Sequence, residues 1–134
     1  MPSDEEAIRN LVGLHAQLTD DGLAEDRVQL YVKDGVFIQG DSRFEGHDEI
    51  TKAFSAGKDP ARRGKHITAN MVIDLNGDRA DVRTDFTMIK PSAEGMNVLA
   101  VGRYYDILEK HDGKWLYRYR KCYKGNCYRY SSSS

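Results

Sequence analysis

Ile8, Leu11, Val12, Leu14 and Leu18 recur at the three-and-four spacing of one helix face. Ser3, followed three residues later by Glu6, forms a capping box ahead of that run, so the first helix begins there and ends near Asp20, where Asp20-Asp21-Gly22 breaks it. His15 and Thr19 continue the line through Ile8, Leu11 and Val12, and the inward face of this helix therefore turns polar toward its C-terminal end. A short second helix is expected over residues 23–32, carrying Val28, Leu30, Tyr31 and Val32 and stopped by Asp34-Gly35. Residues 36–39 and 42–45 read as a small hairpin turned at Gly40-Asp41. Gly46-His47-Asp48-Glu49 opens a third helix with a stripe of Ile50, Ala53 and Phe54, ended by Gly57 and followed by a basic linker over 58–65 that contains Pro60.

After the linker the period shortens to that of strands. Strands are expected over 68–75 and 78–90, joined by Asn76-Gly77, the strongest two-residue hairpin signal. A looser turn at 91–95 leads to a strand over 97–110, and Asp112-Gly113 turns into a last one over 114–123. In the stretch 64–74, alternation puts His66, Thr68, Asn70 and Val72 on one face and Ile67, Ala69, Met71 and Ile73 on the other. The second face is wholly apolar. The first is polar without charge, which suits a pocket lining better than open solvent. On the next strand Ala80, Val82, Thr84, Phe86 and Met88 alternate with Asp81, Arg83, Asp85 and Thr87, and alternation alone leaves open which set looks inward. This order of elements reads as α+β: a cone-shaped, curved antiparallel (mixed) sheet with three helices packed on its concave side around a cavity. Residues 1–130 form a single domain, and the serines at 131–134 a frayed tail.

At 134 residues the chain is long enough to bury a core without disulfide staples. Its 20 Lys+Arg against 21 Asp+Glu give nothing that favours nucleic acid or a membrane surface, so the expected partner is a small-molecule substrate or another protein. The acidic opening Met1-Pro2-Ser3-Asp4-Glu5-Glu6 is unlike a signal peptide, and no apolar run is long enough to span a bilayer, from which a cytoplasmic protein is expected. Cys122 and Cys127, the only cysteines, read as free thiols. With Ile67, Ala69, Met71 and Ile73 on one face and the uncharged Thr68, Asn70 and Val72 on the other, neither face has reason to meet water, so the outer sheet surface is expected to meet another subunit in a homodimer or homotrimer. No metal motif or phosphate loop is present, and no cofactor is expected.

Several stretches together carry a family likeness. They are the helix-one pattern ending at Asp20, Asp34-Gly35-Val36-Phe37, Phe44-Glu45-Gly46 with Glu49-Ile50, and His66 with Asn70. Asn76-Gly77-Asp78-Arg79-Ala80, Gly102-Arg103-Tyr104-Tyr105-Asp106 and Asp112-Gly113-Lys114-Trp115 complete the set. Over residues 5–121 the chain resembles SnoaL-like members of the nuclear-transport-factor-two-like superfamily, small cone-shaped α+β proteins that include dehydratases, a dehydrochlorinase, isomerases and polyketide cyclases. The nearest pattern is that of the cofactor-independent dehydratases and the dehydrochlorinase, which use a His-Asp dyad with the acid at the end of helix one and the histidine at the start of the first long strand. That resemblance implies catalytic roles for Asp20 and His66, and places His15 and Arg120 at the positions of two further cationic groups, His15 standing where the dehydrochlorinase has lysine.

The chemistry of such a set follows from the side chains. A neutral imidazole takes a proton near pH 7 when a carboxylate on one ring nitrogen fixes its tautomer and stabilises the imidazolium. On that logic His66 is the base and Asp20 its orienting acid, while Arg120 or a protonated His15 stabilises a departing anion. By alternation Asn70 and Tyr104 offer hydrogen bonds to the substrate, and Phe86 and Met88 an apolar wall. The expected reaction is proton abstraction from a small cyclic, largely apolar compound by a lyase or isomerase of dehydratase type. Two other classes share these residues: a binding module that only holds a ligand, and an association domain, for which a filled cone and a deeply paired Arg120 would argue. In the plainest readings His66 and His15 are satisfied structural histidines, Asp20 a turn residue, Arg120 a solvated charge, and Tyr104 with Trp115 core aromatics.

Overall fold

The computed structural model describes residues 1–56 and 64–125. The expected stop at Gly57, most of the basic linker, Cys127 and the serine tail lie outside them. Ser3 caps α1 (Asp4–Asp20), its hydroxyl accepting from the Glu6 amide at 3.2 Å, and Asp4, Glu5 and Glu6 place negative charge on the positive end of the helix dipole. Ile8, Leu11, Val12 and His15 are its buried face. The second helix, α2 (Ala24–Val28), is shorter than the pattern predicts because Tyr31 and Val32 belong to β1 (Tyr31–Gln39), where Tyr31 lies parallel to Tyr117. An aromatic and a β-branched residue favour that pairing over a helix of five residues with no side-chain cap. β2 (Ser42–Glu45) closes the hairpin, and α3 (Gly46–Ser55) buries Ile50 and Phe54.

Four long strands follow: β3 (Lys65–Asn76), β4 (Arg79–Ser92), β5 (Gly95–His111) and β6 (Lys114–Lys124). The six strands of the described residues form one sheet in the order β2-β1-β6-β5-β4-β3, mixed because β1 runs parallel to β6 while every other pair among them is antiparallel. The β3–β4 loop is Gly77-Asp78, one residue later than Asn76-Gly77, because Asn76 pairs with Arg79. Only Gly77 takes positive φ there (62°), as a two-residue turn with glycine first requires. Pro91 and Ser92, expected in a turn, extend β4 to pair with Met96 and Gly95.

The fold is α+β, an open curved sheet with the three helices of the described residues packed against it. The core lies between them: Ile8 and Leu11 of α1, Val28 of α2 and Ile50 of α3 meet Tyr31, Val82, Leu108 and Tyr117 of the sheet. Burial of Ala80, Val82, Thr84 and Phe86 shows that this set of β4 looks inward. Among the described residues no helix is long and apolar enough to cross a membrane.

The alternation of β3 is broken in the middle. Pairing slips between Ala69 and Val72, and Asn70 takes φ 53°, a left-handed conformation that asparagine tolerates better than most residues. The bulge exchanges faces beyond it. Met71 and Ile73 turn inward onto the core, whereas Ile67 and Val72 are exposed, so the two faces expected from strict alternation each hold only up to Asn70.

Candidate active site

A cavity of about 330 Å³ opens between the sheet and the ends of the helices, within the size range of small-ligand sites. Asp20, the last residue of α1, stands at the negative end of the helix dipole with no basic residue in the final turn. What offsets that placement is the start of β3. The His66 amide donates to both Asp20 carboxylate oxygens at 3.1 Å, and ring Nδ1 lies 2.6 Å from Oδ1. Ionised Asp20 can only accept, so the Nδ1 proton is His66's, and Nε2, without a partner among the described residues, carries the lone pair. Both side chains are mostly buried, at 12% and 14% exposure. Gly64 makes this entry into β3 possible: a Cβ there would collide with the carbonyl of Ile89 on β4.

His66 lines the cavity beside Phe86, the rings 6.1 Å apart, and Phe86 stacks on Tyr104 at 4.5 Å and 17°. Burial pushes the Tyr104 phenol up to about 12, which keeps its proton available to donate. Met88 completes the apolar wall. Asn70 is not brought to the cavity: the bulge turns it to the outer face, where it donates to Asp85 at 3.0 Å and is exposed.

Arg120 reaches the cavity wall, but its charge is committed. Nε and Nη2 donate to the two oxygens of Asp106 at 2.8 and 3.0 Å, Nη2 also to the Tyr117 hydroxyl at 3.1 Å, and the guanidinium lies 3.7 Å above the Tyr104 ring. Burial works against this cation, and Asp106 more than restores it, holding Arg120 well above the ordinary guanidinium value. His15 is the sharper correction. Its Nδ1 faces Nη1 of Arg120 at 3.3 Å, a group that only donates, so Nδ1 accepts and Nε2–H is left to donate to the Tyr31 hydroxyl at 3.0 Å. Burial first, then Arg120, holds its pKa well below the usual imidazole value. The cation expected at His15 is a neutral ring.

Two groups went unread in the sequence. Asp106, the partner of Arg120, stands between Tyr104 and Leu108 in the inward alternation of β5, and that lone acid in a buried stripe was the signal. Arg27, on a helix too short to show a period, also lines the cavity, as does buried Cys122. Among the described residues no group of three or more His, Cys, Asp or Glu is placed to hold a metal ion.

The model of the SnoaL-like domain family matches residues 2–121. No curated protein matches the chain. Solved structures do. A Mycobacterium tuberculosis protein of unknown function is 24% identical with a TM-score of 0.82, over 94% of this chain and 77% of its own. A candidate scytalone dehydratase from Novosphingobium aromaticivorans is 22% identical with a TM-score of 0.79, over 92% of this chain and 85% of its own. The β subunit of a candidate aromatic-ring-hydroxylating dioxygenase from the same organism is 16% identical with a TM-score of 0.77, over 90% and 88%. At such identities the likeness is one of fold.

Proposed function

The chain belongs to the SnoaL-like domain family, and on that premise we propose that its cavity is the active site of a cofactor-independent lyase or isomerase of dehydratase type. The observation that carries this reading is the 2.6 Å contact of His66 Nδ1 with Asp20 at the wall of an open cavity, with Nε2 unpartnered among the described residues. Nε2 takes a proton from a carbon next to an electron-withdrawing group. The electron pair of the broken C–H bond then moves into the adjacent carbon–carbon bond as the substituent on the neighbouring carbon departs. A halide leaves as the anion; a hydroxyl leaves as water after the imidazolium returns its proton to it. Asp20 stabilises the imidazolium between the two steps, and Tyr104 offers a hydrogen bond to developing negative charge. Phe86 and Met88 suit a small ring.

The test is a screen of hydroxylated and halogenated ring compounds against the wild type and His66→Ala. Loss of turnover by about 10²- to 10⁴-fold in folded His66→Ala supports the base, and an unchanged rate contradicts it. A non-catalytic association domain is the second reading, favoured by one observation: Arg120, expected to assist the reaction, spends its charge on Asp106. The reading also includes a second copy of this chain. Ile67, Met96, Val98 and Val101, between 41% and 64% exposed, share the outer sheet face by strand register, apolar surface that self-association would cover.

A further inference from the structure

Arg27 is a half-buried cation that the mechanism above does not use. Its guanidinium lies 3.5 Å from the centre of the Phe54 ring and 6.0 Å from that of Phe37, both of them cavity residues. Stacking of this kind occupies the flat faces of the group and does not use the N–H groups of its edge. Nε on that edge is buried and has no hydrogen-bond partner among the described residues. Among the described residues no carboxylate pairs with Arg27; the groups that act on its charge are Tyr31, Tyr104, Arg120 and Cys122. Burial lowers its pKa to about 10, and the side chain is still charged at neutral pH. The contrast with Arg120, on the same cavity, is direct: that guanidinium has a bidentate acid, a phenol and an imidazole around it. His66 likewise has Asp20. In a cavity where those two groups have their own carboxylates, the Arg27 cation, with a buried and unfilled N–H, lacks an anion among the described residues.

We propose that the compound taken by this cavity carries a carboxylate, held by the open edge of Arg27, with its ring between that group and His66. This rests on the reading of the cavity as a small-molecule site, and it narrows the ligand from an apolar ring to a ring acid. A planar carboxylate matches the fork of Nε and one Nη with two parallel hydrogen bonds, which a neutral amide of the same shape cannot do. The anchored group also sets which carbon faces Nε2 of His66, because binding at one end of a small ring fixes the position of the other.

Benzoate and benzamide are the probes, their binding to the full chain followed by calorimetry at pH 7.5 in the wild type, Arg27→Gln, Arg27→Lys and His66→Gln. The wild type should prefer benzoate by at least about tenfold. Arg27→Gln should bring the two ligands within about twofold of each other while leaving benzamide affinity unchanged, Arg27→Lys should keep part of the preference, and His66→Gln all of it. Equal binding of the two probes by the wild type overturns the proposal. So does a preference that survives Arg27→Gln, which would move the anion to Lys124 or Arg120. Should Arg27→Gln not fold, the wild-type Arg27 Nε–H resonance decides: a shift with benzoate and none with benzamide supports the site, and no shift with either overturns it. A benzoate preference without turnover of any ring compound would sink the proton-abstraction reading alone; turnover of neutral rings without a benzoate preference would sink only this one.

Discussion

Asp106→Asn removes one charge from the Arg120 pair and keeps its shape. The two side chains are 1% and 0% exposed, and both oxygens of Asp106 accept from the guanidinium, at 2.8 and 3.0 Å. Breaking a buried pair from one side costs about 3–5 kcal/mol, because the charge left behind cannot return to water. Asparagine still offers one carbonyl oxygen, so the lower end of that range applies, about 3 kcal/mol. With a urea dependence of about 2 kcal/mol per molar for a domain of this size, the unfolding midpoint should fall by roughly 1.5 M. The control is Asp81→Asn, which removes the acid from an Arg79 pair at 58% and 56% exposure. Solvent screening leaves such pairs worth less than about 1 kcal/mol, and the midpoint should move by under about 0.5 M. Replacing both buried partners, Arg120→Met with Asp106→Leu, should regain most of the loss, since neither charge is then left buried alone. If Asp106→Asn moves the midpoint no further than Asp81→Asn, Arg120 does not depend on Asp106 and its charge is free for the cavity after all.

The remaining predictions concern pH, packing and assembly. His15 has a folded pKa below its unfolded value near 6.5, so between the two the unfolded chain binds more protons; stability is full above about pH 6.5 and falls below it, by up to about 1.4 kcal/mol per unit. His15→Gln should remove that slope between pH 5 and 6.5 in urea melts, whereas the lowered carboxylates Asp85 and Glu109 act only at more acid pH. Gly102→Ala puts a Cβ against the Tyr123 carbonyl and 2.6 Å from the Phe86 ring, and should destabilise by about 1–3 kcal/mol with Phe86 displaced from the cavity wall, read by denaturation and a crystal structure. Val98→Lys, on the outer face at 64% exposure, should lower the sedimentation mass to that of one chain if this face joins two copies.

The first helix was legible because its signals are local: the Ser3 cap, the apolar spacing and the Asp-Asp-Gly stop all act within one segment. The long strands were legible for the same reason. What failed depended on partners distant in sequence. Tyr31 and Val32 suit a helix or a strand equally by pattern, and only β6 decides between them. Asn70 fell on the wrong face because a bulge of one residue reverses every later position on the strand, and only the slipped β3–β4 pairing and a positive φ mark it. At the candidate site the sequence brought His66, Asp20, Arg120 and His15 into one list. The structure gives them different electrical states, because a buried neighbour that no spacing rule reports sets each one: Asp106 for Arg120, and Arg120 in turn for His15. Arg27 was hidden by a helix too short to show which way it faces.

The central claim is that Asp20 holds the Nδ1 proton of His66 and leaves Nε2 bare toward the cavity. Nitrogen-15 NMR of the His66 ring at pH 8, in the wild type and in Asp20→Asn, tests it without a substrate. The account predicts a protonated Nδ1 with a strongly hydrogen-bonded proton and an unprotonated Nε2 in the wild type, and loss of that order in Asp20→Asn. A wild-type ring protonated at Nε2, or one indifferent to Asp20→Asn, would contradict it.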